Sequence, residues 1–274
     1  MIDLSDLTFI IPIRIDSMDR FLNLKCVLNF FYTNFKTNLI ISEDDATQKF
    51  NFNPPHNSSI AYEYQFLKNE SGIFHRTKIL NSMIRQAKTP YIANYDCDVL
   101  LPLPIYQEAY NLLVDFGFVY PYSGLFLDVP PSFKDKLISG AISVQDIPVG
   151  ECRSVSTDSV GGAIFVRRDT YIASGMENEH FQSWGLEDLE RFARWHKLGF
   201  KIARLDNPLY HLAHPRPPNS NFSNPYYEAN KREYERVSRM DTHELRAYIH
   251  TWPWGLASDQ EQSFPPSLFR SYTL

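Results

Sequence analysis

Tyr91-Ile92-Ala93-Asn94-Tyr95-Asp96-Cys97-Asp98 is a short apolar strand that runs directly into two carboxylates one residue apart. The pattern recurs upstream. Leu7-Thr8-Phe9-Ile10-Ile11-Pro12-Ile13 is a nearly continuous apolar run, the mark of a strand buried on both faces, and Asp16 follows it. Asn38-Leu39-Ile40-Ile41-Ser42 ends in Glu43-Asp44-Asp45, and residues 60–66 form a third strand. Ser17 reads as the N-cap of a helix over 18–35, with apolar positions at Phe21, Leu24, Leu28 and Phe31. A second helix is predicted over 74–87. Strands alternating with helices predict an α/β fold whose mostly parallel sheet is flanked by helices. Ligands of such sheets bind beyond the carboxyl ends of the strands, where these acids fall.

Downstream, strands are predicted at 117–120, 161–166 and 201–205, with a helix at 186–198 closed by Gly199. Residues 122–158 have weak periodicity and read as a long loop, a form that is usually functional or mobile. Residues 215–225 are rich in Pro, Asn and Ser and read as a linker. Residues 228–239 alternate charges at helical spacing, as a solvated helix does. The organisation expected is a main domain over 1–216 and a small C-terminal helical extension over 217–274. Within it, 226–254 reads as an acceptor-side lid or as a tail packed on the domain, with Trp252 and Trp254 as its contacts.

Composition bounds the partners. The chain has 274 residues, 43% hydrophobic and 22% charged, which is ordinary for a globular protein. A net charge of −5 argues against a nucleic-acid partner, which calls for a basic face. Cys26, Cys97 and Cys152 are widely spaced and odd in number, which points to reduced thiols and a cytoplasmic location. The first residues are acidic where a signal peptide is basic, and no apolar run approaches bilayer length. At most a peripheral membrane association is expected. An aromatic content of 15% serves sugar stacking or a large core equally.

Several clusters could carry chemistry, each with a plain structural alternative. Asp96 and Asp98 are hard oxygen ligands able to place Mg²⁺ or Mn²⁺ against a diphosphate, or solvated acids of a strand-end turn. His211 and His214 are spaced to share a metal, and imidazole with carboxylate suits Mn²⁺ better than Mg²⁺. Trp184-Gly185-Leu186-Glu187-Asp188-Leu189-Glu190 is a turn followed by acids that either complement a helix dipole or include a general base, with Trp184 as a platform for a sugar. Gly161-Gly162 allows close backbone approach or makes a bulge. Arg76 and Lys78 sit in a first helical turn, against the dipole preference, and suit an anion or a surface ion pair.

In order and spacing these pieces resemble the GT-A-fold glycosyltransferases, in particular the β-1,4-galactosyltransferase family and bacterial family 2 enzymes. The resemblance runs over about residues 7–216. It is carried by Ile11-Pro12-Ile13-Arg14, Phe74-His75-Arg76-Thr77-Lys78-Ile79-Leu80-Asn81, Asp96-Cys97-Asp98, Gly161-Gly162, Trp184-Gly185-Leu186-Glu187-Asp188 and His211-Leu212-Ala213-His214. It implies a Rossmann-like mixed sheet and transfer of galactose or N-acetylgalactosamine from a UDP-sugar to a saccharide or glycolipid acceptor, with inversion. Pro12 and Arg14, with an acid from the run Glu43-Asp44-Asp45, would hold the uridine, and Arg76 the phosphates or sugar, with Lys78 as a second candidate anion contact. Asp96, Gly161 and Gly162 would also line the donor site.

By the same resemblance Asp98 and His214 would ligate Mn²⁺, with His211 where the family has methionine. Asp188 would be the base, Glu187 its neighbour at the acceptor, and Trp184 an acceptor contact. Two departures bear on specificity. Leu189 replaces an acid that holds an N-acetylglucosamine acceptor, and Ser159 stands where galactose-specific relatives have tyrosine. A retaining transferase on the same fold and a noncatalytic nucleotide-sugar binder would use the same cleft.

Overall fold

The structure is a computed structural model that describes residues 1–55 and 58–255. The part of the expected extension beyond residue 255 lies outside the described residues. In chain order the strands are β1 (Ile2–Ile13), β2 (Phe35–Asp45), β3 (Ile60–Lys68), β4 (Tyr91–Tyr95), β5 (Val99–Leu100), β6 (Phe118–Tyr120), β7 (Phe126–Asp128), β8 (Arg153–Ser156), β9 (Ala163–Arg167), β10 (Ile202–Arg204) and β11 (Leu209–His211). The helices are α1 (Met18–Asn34), α2 (Arg76–Gln86), α3 (Leu103–Leu112), α4 (Pro131–Ile138), α5 (Arg168–Ala173), α6 (Glu187–Lys197), α7 (Tyr227–Arg239) and α8 (Thr242–His250).

The main sheet has the order β10-β6-β9-β4-β1-β2-β3. The β1–β2, β2–β3, β1–β4 and β10–β6 pairs are parallel, and β9 runs antiparallel to both β4 and β6. This is the mixed, mostly parallel sheet expected. Residues 7–13 of β1 are buried throughout, as a strand covered on both faces must be. Ser17 caps α1 by accepting from the Arg20 amide at 3.2 Å. Leu24, Val27, Leu28 and Phe31 then turn inward. Phe9 is surrounded by the rings of Phe31, Phe35, Tyr95, Tyr106 and Phe165, with centroids 4.4–6.4 Å away. Much of the aromatic content is therefore core.

The stretch 122–158 is not one long loop. It contains β7, α4 and β8, and β7 and β8 join β5 and β11 in a second sheet of order β5-β11-β7-β8. These strands are two to four residues long, too short for an alternating pattern to declare itself. β11 pairs with β7 in parallel and with β5 in antiparallel register, so this sheet ties together segments that begin just after Asp98 and end at His211. Residues 218–220 form a 3₁₀ turn, and α7 packs against α6. Among the described residues no helix is long and apolar enough to cross a membrane. Cys26, Cys97 and Cys152 are free thiols.

Candidate active site

β1 and β4 end side by side, and β9 enters the sheet from the opposite direction beside β4. Tyr95 is therefore opposite Ala163, and the Asp96 amide donates to the Gly162 carbonyl at 2.8 Å. The acid pair and the glycine pair thus meet at the carboxyl edge of the sheet. Gly162 has φ +81°, a conformation that favours glycine. Above this edge opens a cavity of about 470 Å³ lined by Pro12, Arg14, Arg76, Asp96, Asp98, Gly161, Gly162, Trp184, Glu187, Asp188, His211 and His214, among others.

Three expected donor contacts are not brought there. β2 extends to Asp45, pairing Glu43, Asp44 and Asp45 with Phe66, Leu67 and Lys68, so these acids lie within the sheet and not beyond it. Glu43 is fully buried and accepts from the Lys49 amide at 2.9 Å and the Tyr64 hydroxyl at 2.6 Å. Asp44 accepts from the Asn69 side chain at 3.0 Å. Lys78 is exposed on α2, away from the cavity lining.

At one end of the cavity Asp98, His211 and His214 offer ligand atoms that all lie within 4.8 Å of one another. His211 Nδ1 lies 2.6 Å from Asp128 Oδ1, so it donates there and leaves Nε2 turned to Asp98 at 3.9 Å. Arg153 in turn binds Asp128. His214 Nδ1 lies 2.7 Å from the Pro215 carbonyl, which only accepts, and 3.4 Å from Arg20. Its Nε2 then meets Asp98 Oδ2 at 3.0 Å, lone pair against carboxylate unless a proton or a metal lies between. Burial opposes ionisation of Asp98. The His214 hydrogen bond and the charges of His211, His214 and Arg20 overcome it and hold its pKa below the usual carboxylate range. One carboxylate and two imidazoles with oriented outer partners fit a divalent transition metal of the Mn²⁺ type.

At the other end α6 begins after Leu186, which sits at φ +71° in a turn that Glu187 closes by accepting from the Gly185 amide at 2.8 Å. Burial, with Asp188 adjacent, pushes the Glu187 carboxyl up to about 7 against the pull of Arg76. Asp188 opens onto the cavity, and its Oδ1 takes Arg191 at 2.6 Å and Arg76 at 3.5 Å. Arg76 also binds Asp96 at 2.6 Å, spanning the two halves of the site. Burial raises the Asp96 pKa, and Arg76 works against that. Glu190 does not sit at the surface of the first turn. It is 1% exposed and paired with Arg194 at 2.8 Å.

The structure adds residues that the motifs did not contain. Arg20, Arg216, Asn219 and Phe222 also line the cavity, and Asp128 and Arg191 stand behind it. The Trp184 ring packs edge-on against Phe222 at 4.9 Å and stacks on Tyr227 at 6.3 Å, forming an aromatic wall. The expected linker over 215–225 thus contributes directly to the cleft. Arg191, at i+3 from Asp188 on a helix, had a visible spacing signal. Asp128 had none.

Residues 145–215 match the family model described as the N-terminal domain of galactosyltransferase. Among solved structures the chain is similar to GalNAc-T7 in complex with UDP, GalNAc and Mn²⁺. The TM-score is 0.53 at 13% identity, over 91% of this chain and 52% of that one. It is also similar to the catalytic domain of Drosophila β1,4-galactosyltransferase 7 in complex with xylobiose, with a TM-score of 0.45 and 17% identity over 77% of this chain and 72% of that one. A point mutant of the same Drosophila enzyme, in complex with manganese, UDP-Gal and xylobiose, gives 0.46 and 17% over the same shares. No curated protein matches the chain. The likeness to GalNAc-T7 identifies the fold as GT-A.

Proposed function

We propose that the protein is a metal-dependent glycosyltransferase that moves galactose or N-acetylgalactosamine from a UDP-sugar to a saccharide acceptor with inversion. One observation supports this above the others. A metal-type cluster of Asp98, His211 and His214 and an accessible carboxylate, Asp188, line the same cavity, joined by Arg76. A binder of nucleotide sugars has no use for the second element. The match of residues 145–215 to a galactosyltransferase model runs through both the Trp184–Asp188 motif and His211 to His214, and favours the same reading. Mn²⁺, UDP and GalNAc in the GalNAc-T7 complex name the ligands to test first.

Asp98, His211 and His214 would hold Mn²⁺, which when bound offsets the charge of the leaving diphosphate. Pro12 and Arg14 line the part of the cleft assigned to the uridine, and Arg76 orients the donor beside Asp96. Asp188 accepts the proton of the acceptor hydroxyl as its oxygen attacks the anomeric carbon and the bond to UDP breaks. Trp184 and Glu187 form the acceptor side. Ser159, whose Oγ takes the Tyr122 hydroxyl at 3.2 Å, is small enough to leave space for a 2-acetamido group. The free thiols agree with a cytoplasmic setting, and a glycolipid acceptor would require a peripheral contact with a membrane.

Calorimetry of UDP, UDP-galactose and UDP-N-acetylgalactosamine, with and without Mn²⁺, tests the reading. Metal-dependent binding that is lost in Asp98→Ala is expected. Equal binding with and without metal would refute the assigned centre, and an α-linked product by NMR would refute inversion.

A further inference from the structure

Among the described residues, the arginine contacts of Asp188 are made through one oxygen. The two arginines that reach it both approach Oδ1, Arg191 at 2.6 Å and Arg76 at 3.5 Å. Oδ2 lies over Gly161, where an added Cβ would come within 2.6 Å of it. Arg191 is 1% exposed, and its other nitrogen binds both oxygens of Glu177 at 3.0 and 3.1 Å. Glu177 is itself fixed. It takes the Tyr171 hydroxyl, its amide donates to Asn81 Oδ1 at 2.8 Å, and its carbonyl accepts from Asn81 Nδ2 at 2.9 Å. Asn81 belongs to α2, the helix that also carries Arg76. The Arg191 guanidinium also lies over the Trp195 ring, 5.5 Å from its centroid.

A buried arginine between two carboxylates is an inefficient way to stabilise a helix, because desolvating such groups offsets most of their attraction. It is an effective way to fix the direction of one carboxylate. We propose that Arg191, braced by Glu177, is a positioning residue that clamps Oδ1 of Asp188 and reserves Oδ2 for the acceptor proton. This rests on the reading of Asp188 as the base. Proton transfer then follows one path: the acceptor O–H proton passes to Oδ2, the acceptor oxygen bonds to the anomeric carbon, and UDP leaves with the electrons of the broken bond. Besides the two arginines, Asp96, Glu187, Tyr120 and Tyr122 bring charge or titratable groups toward Asp188. Loss of Arg191 therefore leaves the base freer to rotate and with less positive charge beside it, Arg76 remaining at 3.5 Å.

The test is UDP release from UDP-galactose and from UDP-N-acetylgalactosamine with Mn²⁺ and water as the acceptor, measured across pH. Wild type, Arg191→Met, Arg191→Lys, Glu177→Gln and Asp188→Asn are compared, with UDP affinity as a check on the donor site. Arg191→Met is expected to lose roughly 10–100-fold in kcat with unchanged UDP affinity, and to move the acid limb of the kcat profile to higher pH. Arg191→Lys should recover part of both. If Arg191→Met does not fold, Glu177→Gln keeps the volume and loosens the brace; kcat should fall, and because an anion rather than a cation is removed the limb should move to lower pH. Wild-type kcat and limb in the folded Arg191 or Glu177 variant, with Asp188→Asn inactive, would overturn the clamp and leave the base in place. An active Asp188→Asn would remove the base assignment itself.

Discussion

His211 donates from Nδ1 to Asp128 at 2.6 Å, and the two residues are direct register partners in the β7–β11 pairing, 83 positions apart in the chain. The contact sets which imidazole nitrogen faces Asp98. Asp128→Ala should leave the ring free to turn and lower Mn²⁺ affinity by about 10–100-fold, the usual effect of removing an outer partner. Titration of UDP binding against Mn²⁺ reads this directly, and an unchanged midpoint would mean that Asp128 does not orient the ligand.

Glu187 provides a pH signature. Its folded pKa of about 7 lies above its ordinary value of 4.5, so the folded state keeps a proton that the unfolded chain has released. The group's contribution to stability is therefore greatest at low pH and is lost as pH rises toward about 7. Glu187→Gln resembles the protonated form. Its melting temperature should match wild type near about pH 5 and exceed it at about pH 8, by thermal melts in parallel. A gap that does not widen with pH would contradict the shift.

Gly161→Ala is a geometric probe. The new methyl would fall within 2.6 Å of Asp188 Oδ2, the end of a side chain that can turn aside. Displacing the carboxylate strains its ion pair with the buried Arg191, so turnover should fall by roughly 100-fold with a much smaller proportional loss of stability. Equal losses of stability and turnover would instead indicate a backbone effect.

Phe9→Ala removes the ring at the centre of the aromatic cluster. The side chain is fully buried, and its loss should cost about 3–5 kcal/mol in urea unfolding. A loss below about 1 kcal/mol would mean that the cluster collapses into the space.

The sequence made the main sheet legible wherever a strand carried a sustained apolar run. The fourth strand was expected at 91–95 and is found there. The helix cap at Ser17 and the stop at Gly199, with φ +86°, also followed from local chemistry. The second sheet did not, because β7 and β11 contain three residues each and are defined by their partners. Glu43 and Asp44 were misplaced for a related reason. The sequence signals acids after an apolar run, but only pairing with β3 decides that the strand continues through them. Asp188 was named from its motif. That one of its oxygens is clamped depends on Glu177 and Asn81, contacts no local pattern contains.

The short β5-β11-β7 ladder also has a kinetic meaning. Its β5–β11 pairing joins residues farther apart in sequence than any strand pairing of the main sheet, so the ladder should be completed late. The hydrophobic sheet can collapse without it. Competence to hold a metal then becomes a marker of finished folding, and a refolding chain would recover its buried aromatic core before it could capture Mn²⁺.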